Sequence, residues 1–296
     1  SCFSGAKDAA GAGLSAGYRH TYIVLVIIVI MLMAICVFSI VEINPPTQSA
    51  GKSSLLKDIK SLVKNKYYIM FLGEVFFLFL GYLSMYGAMQ YYYSYIVGDV
   101  SGMSLALTLL TLLAIPTMIL AAYLNGKGIA KIKLIQFGAI VDIVGYAILF
   151  FTSNGTIATM ALGLIGLGFG FRSSMFFSMM PDIFDYTEWQ VGRNLGGTQN
   201  AIQGFVNKVS SAAASAIVSA LLVWGNYDAA KLDKAIADGV NIAQAFPKTH
   251  TAINFAFGGL ALVSTVLAVL VLVPYDLDKK YPQIRADLDK RQGKAE

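Results

Sequence analysis

The stretch TYIVLVIIVIMLMAICVFSIV, Thr21–Val41, decides the class of fold because it carries no charged side chain. A helix rises about 1.5 Å per residue, so about twenty residues cross the roughly 30 Å hydrocarbon core of a bilayer. A helix on a soluble core would instead have one apolar and one polar face. The stretch therefore predicts a transmembrane helix.

Further apolar blocks of similar length follow along the chain. Hydrophobic residues make up 56% of the sequence and charged residues only 13%, whereas soluble domains carry about 25% charged residues. The sequence thus predicts an all-α membrane protein with about seven transmembrane helices in a lipid bilayer. The predicted spans are Thr21–Val41, Tyr67–Val97, Ser104–Leu124, Leu134–Phe151, Ile157–Met180, Thr198–Trp224 and Ala252–Val273.

The positive charges predict the orientation of these spans. Most of the 22 Lys and Arg residues fall after the first, third and fifth blocks and in the C-terminal tail, all on one side of the membrane. Cytoplasmic loops hold the excess of Lys and Arg. We therefore expect a multi-pass protein of the cell (inner) membrane, with the N-terminus outside and the C-terminus in the cytoplasm.

The connection after the first block contains a short amphipathic pattern. Lysines alternate there with apolar residues that recur at helical spacing, namely Leu55, Leu56, Ile59, Leu62 and Val63. A helix of this kind suits the lipid headgroup region. A linker that joins two helical bundles is an equally compatible interpretation.

The composition argues against several classes of function. Cys2 and Cys36 form no CxxC or Cys/His pattern, so we expect no disulfide framework and no metal site. The net charge of +5 comes from lysines beside apolar blocks, so we expect no nucleic-acid partner. No GxSxG, HExxH or Gly-rich phosphate loop is present, which argues against an enzyme and against a bound cofactor.

Four ionisable residues lie inside the predicted spans: Glu74, Asp142, Arg172 and Lys208. A charge at membrane depth costs several kcal/mol unless it faces water or a partner, so these residues are functional candidates. Lys208 is the strongest, because Gln203 and Asn207 make its helix polar on one side, as a wet substrate path requires. A purely structural ion pair remains the alternative.

Several tyrosines lie within the second predicted span, Tyr67–Val97. Tyr82, Tyr86 and Gln90 fall near one helical face, and an aromatic surface with an amide group suits a sugar. Tyrosines at a helix end more often form an interfacial belt, the interpretation we prefer for Tyr91, Tyr92 and Tyr95.

The most specific motif is PDIFDYTEWQVGR, residues 181–193, followed by the helix with Lys208. It resembles the D-x-x-D-Y-x-E signature and the following Arg of the glycoside–pentoside–hexuronide:cation symporter family. The resemblance implies a loop that closes a cytoplasmic gate, formed by Asp182, Asp185, Tyr186, Glu188 and Arg193. It also implies that Lys208 lines the path of a sugar and a coupling cation, Na⁺ or H⁺.

That family has twelve helices in two halves of six, the major facilitator plan. Residues 1–20 contain no Met start and no signal-peptide pattern, so we expect this chain to be the C-terminal part of a longer protein whose N-terminal bundle is missing. On this interpretation residues 1–43 are an external segment and the last N-terminal helix, and 44–66 are a cytoplasmic linker. Residues 67–273 are the six-helix C-terminal bundle, and 274–296 are a cytoplasmic tail.

The sequence departs from the family pattern in two places. Many members have a glutamate where this chain has Asn194-Leu195-Gly196, and a member of the family has a hydroxyl residue at the position of Gly204. The first departure affects the charge pairing of the gate, and the second leaves the identity of the preferred sugar undetermined. We predict a secondary active transporter, a cation-coupled sugar symporter that works by alternating access. The alternatives are a facilitator of another small solute, such as an organic anion or a lipid, and a non-transporting membrane sensor or scaffold.

Overall fold

A computed structural model describes residues 12–39 and 55–291 of the chain. These residues form helices joined by short connections, and no β-strand occurs among them. Seven of the described helices are long and apolar enough to cross a membrane, which confirms the predicted fold class. The chain divides into two compact units, residues 1–48 and 49–296.

The first unit contributes one described helix, α1, Ala12–Ser39. Its apolar side chains from Tyr22 to Phe38 are exposed. The helix begins well before Thr21, and the predicted end at Val41 lies outside the described residues. A helix with apolar side chains on its whole surface is what hydrocarbon requires of a membrane span.

The second unit begins with the amphipathic helix α2, Leu55–Lys64. Leu62 is fully buried, whereas Leu56, Ile59 and Val63 form an exposed apolar stripe. Asn65 follows directly and caps the next helix, since its side-chain oxygen accepts hydrogen bonds from the backbone N–H groups of Tyr67 and Tyr68 at 3.0 and 3.2 Å.

The remaining helices follow one another closely, and several change pitch without a break. Helix α3 continues as the π-helix Tyr92–Val97, and α10 continues through the π-helix Phe255–Gly259 into α11. Their bounds are Lys66–Tyr91 for α3, Ser101–Gly126 for α4, Lys131–Phe151 for α5, Gly155–Val191 for α6, Gly196–Trp224 for α7, Ala229–Ala237 for α8, Ile242–Ala245 for α9, Pro247–Asn254 for α10, Leu260–Leu272 for α11 and Leu277–Arg291 for α12.

Helix α6 is the central element of the second unit, because α4 and α5 both pack against it, while α3 packs against α7 and α11. The backbones of α4 and α6 approach closely at Gly166, where an added Cβ would lie 2.2 Å from the carbonyl oxygen of Leu110. Small residues of this kind let membrane helices come into backbone contact. Gly166 thus serves tight packing between these two helices.

Candidate functional site

A charged cluster lies in the interior of the helical bundle. Arg172 of α6 donates a hydrogen bond from Nη2 to Oε1 of Glu74 on α3 at 2.8 Å, and another from Nη1 to Oδ2 of Asp142 on α5 at 3.0 Å. The three side chains are at most 4% exposed. We call Glu74, Asp142 and Arg172 the buried triad.

Two glycines allow the close helix packing that brings the triad together. Gly138 lies one turn before Asp142 on α5, and Gly168 lies one turn before Arg172 on α6. A Cβ at Gly138 would be 2.6 Å from the carbonyl oxygen of Gly168, and a Cβ at Gly168 would be 2.2 Å from Oδ1 of Asp142. The absence of both side chains therefore lets α5 and α6 approach until Asp142 reaches Arg172.

The triad has unequal numbers of acidic and basic groups, and some of its polar atoms form no hydrogen bond. Two carboxyl groups face a single guanidinium, which leaves one negative charge in excess if both acids are ionised. In addition, Oε2 of Glu74, Oδ1 of Asp142 and Nε of Arg172 are buried without a hydrogen-bond partner in the described structure. A buried ion pair is stabilising only when such remaining atoms are satisfied. The triad is therefore an incompletely satisfied ion-pair cluster.

Lys208 occupies a different environment, near the middle of α7 and exposed. None of the described acidic residues forms an ion pair with it. The alternative that Lys208 belongs to a structural ion pair is thus unsupported within residues 55–291, because Glu74 and Asp142 both pair with Arg172 instead. Gln203 and Asn207 are half-buried on the same helix, and Oδ1 of Asn207 lacks a partner.

The candidate sugar-binding side chains on α3 lie at an accessible surface. Tyr82 stacks on Phe169 of α6 with ring centroids 4.7 Å apart, and its hydroxyl lies 3.1 Å from that of Tyr86. Tyr86 and Gln90 are exposed. A cavity of about 190 Å³ between α3 and α7 continues this surface and is lined on its two sides by residues that include Gly87 and Ser215.

The prediction of an interfacial belt is wrong for Tyr92. Its side chain is fully buried and stacks on Phe257 at 4.4 Å, and its hydroxyl donates to the backbone oxygen of Thr152 at 3.1 Å. Tyr91 and Tyr95 instead both contact Tyr227, through ring contacts at 5.3 and 5.5 Å. The π-helical turn that begins at Tyr92 changes the side-chain directions that an α-helical spacing predicts.

Four of the five predicted gate residues lie on a helix and not on a loop, which corrects the sequence interpretation, while Arg193 lies in the short connection between α6 and α7. Residues 181–191 continue α6 as a helix, and Gly192 ends it in the left-handed conformation with φ of 75°. Asp182 pairs with Lys131 at 2.5 Å, Asp185 accepts hydrogen bonds from Tyr281 at 2.8 Å and Arg285 at 3.1 Å, and Arg193 pairs with Asp58. The motif therefore connects α6 to α2, α5 and α12.

The other two motif residues belong to the same contact region. The ring of Tyr186 lies edge-on to that of Tyr67 at 4.8 Å, and its hydroxyl accepts a hydrogen bond from Gln190 at 3.0 Å. Glu188 is half-buried on this end of α6.

A polar network beside the motif escaped the sequence analysis. Thr187 Oγ1 accepts hydrogen bonds from the side-chain amides of Asn65 and Gln199, both at 2.9 Å, and donates to the backbone oxygen of Ile183 at 2.9 Å. All three polar side chains are at most 1% exposed. Asn65 and Thr187 lie outside the predicted spans, and none of the three side chains is ionisable, so the rule about charges at membrane depth did not single them out.

The C-terminal helix is attached to α3 by a second set of polar contacts. The hydroxyl of Tyr67 donates to Oδ1 of Asp276 at 2.5 Å, and Lys280 pairs with the other oxygen of that carboxyl at 2.6 Å. These hydrogen bonds from Lys280 and Tyr67 lower the pKa of Asp276. Asp276 therefore stays ionised and helps to hold the start of α12.

Within the described residues, no group of three or more His, Cys, Asp or Glu side chains is arranged to bind a metal ion. The membrane-length helices, the triad at their centre and the exposed mid-helix Lys208 together define a multi-pass membrane protein with ionisable groups at membrane depth. The chain matches the model of the MFS/sugar transport protein family over residues 9–279, and it belongs to that family. This match confirms the predicted major facilitator class.

Three curated relatives support the assignment. The chain is 26% identical to the isoprimeverose transporter of Lactiplantibacillus pentosus over 96% of its own length and 57% of that protein. It is 26% identical to the inner membrane symporter YicJ of Escherichia coli K12, over 73% of the chain and 46% of that protein. It is 24% identical to the glucuronide carrier protein homolog of the same strain, over 93% of the chain and 58% of that protein.

The chain thus spans about half the length of the curated relatives it matches. Their names describe transporters, a symporter or a carrier and not enzymes, in agreement with the prediction that the chain is not an enzyme. The names also confirm the resemblance to glycoside–pentoside–hexuronide symporters on which the sequence analysis relied.

Proposed function

We propose that the full-length protein to which this chain belongs is a cation-coupled sugar symporter that works by alternating access. Family membership and the names of the relatives support a sugar as substrate. The coupling cation is Na⁺ or H⁺. The name of the symporter relative supports coupling, and the presence of charged groups at membrane depth is typical of ion-coupled carriers.

The observation that carries this proposal is the exposed position of Lys208 in the middle of a membrane-length helix. An ammonium group in contact with acyl chains costs several kcal/mol. Gly204 and Ser215 lie near Lys208 on the exposed side of α7, beside Phe205 and Val209, so small and polar groups interrupt the apolar surface there. A second bundle of helices and a water-filled path between the bundles would remove that cost.

We accordingly place the sugar path between α7 and α3 on one side and a missing N-terminal bundle on the other. Tyr82 and Tyr86 would stack on the apolar face of the sugar, and Gln90, Gln203 and Asn207 would exchange hydrogen bonds with its hydroxyl groups. The substrate class is a glycoside, pentoside or hexuronide. Lys208 would contact the substrate or the acidic residues of the other bundle.

The end of α6 is proposed as part of a cytoplasmic gate. Ion pairs join Asp182 to α5, Asp185 to α12 and Arg193 to α2. A motion of α6 relative to these helices must therefore either break the ion pairs or move the partner helices with it. Tyr186 and Glu188 lie on the same turns. This assignment places the C-terminus in the cytoplasm of an inner-membrane protein, with the N-terminal end of α1 outside.

Counterflow of radiolabelled sugars in proteoliposomes of the full-length protein tests the proposal. Wild type is expected to exchange a member of the three sugar classes and to accumulate it when a Na⁺ or H⁺ gradient is applied. Lys208→Gln should abolish gradient-driven accumulation, whereas Lys234→Gln, on the exposed side of α8, should leave it unchanged. Full accumulation by Lys208→Gln would contradict the role of this lysine.

The same assay separates the alternatives. A facilitator would equilibrate its solute without accumulating it under either gradient. A sensor or scaffold would show no counterflow of any sugar tested. Either result with folded wild-type protein would overturn the symport proposal.

A further inference from the structure

We propose that the buried triad is a proton-binding site and that the proton resides on Asp142. The inference rests on the geometry and charge of the triad alone and is independent of whether the protein transports sugar. With both acids ionised, the cluster would carry an uncompensated negative charge among side chains that are at most 4% exposed. An isolated buried carboxylate is far more costly than a neutral carboxylic acid.

No neighbouring cation removes this excess. The described ionisable groups that interact electrostatically with the triad are Tyr82 of α3 and Tyr146 of α5. These are neutral hydroxyl groups. Of the other elements packed here, α11 contains no ionisable residue, α4 contains only Tyr123 and α7 only Lys208, and both of these side chains are exposed. One proton from water, added to a carboxylate oxygen to form an O–H bond, brings the cluster to neutrality.

The geometry favours Asp142 over Glu74 as the protonated group. Arg172 donates to one oxygen of each acid, at 2.8 Å for Glu74 and 3.0 Å for Asp142, so the surroundings of the second oxygen distinguish the two groups. The free oxygen of Asp142, Oδ1, faces the Cα of Gly168, where even a methyl group would be 2.2 Å away. This oxygen has no room for water and no donor, so it is the position at which a negative charge is least stabilised.

The same geometry favours a proton over a metal cation. Na⁺ needs several oxygen ligands at once, and Arg172 already occupies the space that both carboxyl groups share. A positive guanidinium between the two acids also repels a second fixed cation. Protonation requires neither extra ligands nor extra space, because it only converts one acid to its neutral form.

Infrared difference spectroscopy of the purified full-length protein in lipid bilayers tests the proposal. The spectrum of wild type minus that of Asp142→Asn at neutral pH should contain a carboxylic-acid C=O band that shifts in D₂O. Labelling with ¹³C-aspartate should move this band, and labelling with ¹³C-glutamate should not. A spectrum of wild type minus Asp233→Asn should lack it, since Asp233 is exposed.

A second variant distinguishes loss of the proton from loss of the folded structure. Glu74→Gln removes one acid while keeping the shape, so the triad becomes neutral with Asp142 ionised, and the band should disappear. Absence of the band in wild type would overturn the proposal, as would a band that moves with the glutamate label. Persistence of the aspartate band in Glu74→Gln would contradict the charge argument.

Discussion

Oδ1 of Asp142 lies so close to the backbone of Gly168 that a Cβ added there would stand 2.2 Å from it. The contact joins α5 to α6 at the level where Asp142 meets Arg172. A packing feature and a charged site thus share the same atoms, and a change to either is expected to disturb the other.

Gly168→Ala is expected to destabilise the protein by about 1–3 kcal/mol, the usual cost of overpacking a tight interface. The added methyl group would also clash with the backbone oxygen of Gly138 at 2.5 Å, which cannot move aside as a side chain can. Thermal unfolding in detergent measures the effect. The control is Gly126→Ala, where no atom lies within 4 Å of the added Cβ; an equal loss in both variants would count against the steric argument.

Arg172→Gln is expected to cost about 3–5 kcal/mol, because it leaves two buried carboxyl groups without their shared cation. The triple variant Glu74→Gln, Asp142→Asn, Arg172→Gln replaces the charges with amides of similar shape. It should recover most of the lost stability. Thermal unfolding of the single and triple variants gives the comparison, and a triple variant as unstable as Arg172→Gln would refute this account of the triad.

Asp142→Asn should reduce proton-driven sugar accumulation in proteoliposomes at least tenfold, if the symport proposal and the proton site are both correct. The asparagine keeps the side-chain shape but cannot take up or release a proton. Uptake driven by a pH gradient measures the effect, with Asp233→Asn as the matched acid-to-amide control. Unreduced proton-driven accumulation would show that the bound proton takes no part in coupling.

Attachment of α12 is expected to weaken at acidic pH. Hydrogen bonds from Lys280 and Tyr67 lower the pKa of Asp276 below its usual value of about 4. A group whose pKa is lowered by folding stabilises the fold above its unfolded pKa, and this contribution is lost as the pH falls through the folded pKa. Acidification from neutral pH to below about pH 4 should therefore loosen the helix.

A fluorophore at the end of α12 reports this loosening through its anisotropy across the same pH range. Asp276→Asn should show lower anisotropy than wild type already at neutral pH, because the contacts of the carboxylate with Tyr67 of α3 and with Lys280 are weakened. Asp233→Asn serves as the control. Identical pH profiles for wild type and Asp276→Asn would contradict the assignment.

Several features followed from the sequence alone. The spanning helices were predictable because an apolar block has few alternatives to a bilayer, and each predicted block overlaps a described helix of membrane length, although the ends differ. The four charged candidates were also identifiable, since ionisable residues in such blocks are costly wherever they point. The motif at residues 181–193 was sufficient to indicate the family, although not its local conformation.

Tertiary structure decided which of these residues meet. The sequence contains two acids and two bases at membrane depth. Only the packing of α3, α5 and α6 shows that Arg172 forms ion pairs with both acids, while Lys208 is exposed. The span that we ended at Met180 continues to Val191, because Pro181 removes only its own N–H and partners such as Lys131 hold the following turns.

Burial of Tyr92 and the pairing within the triad share one physical reason. Periodicity along a helix reports how apolar each face is, but the choice of neighbour depends on how closely two backbones can approach and on where a π-turn rotates the side chains. Those quantities depend on pairs of helices that are distant along the chain. The sequence by itself therefore determined the membrane class and the candidate charges, while the fold alone determined their partners.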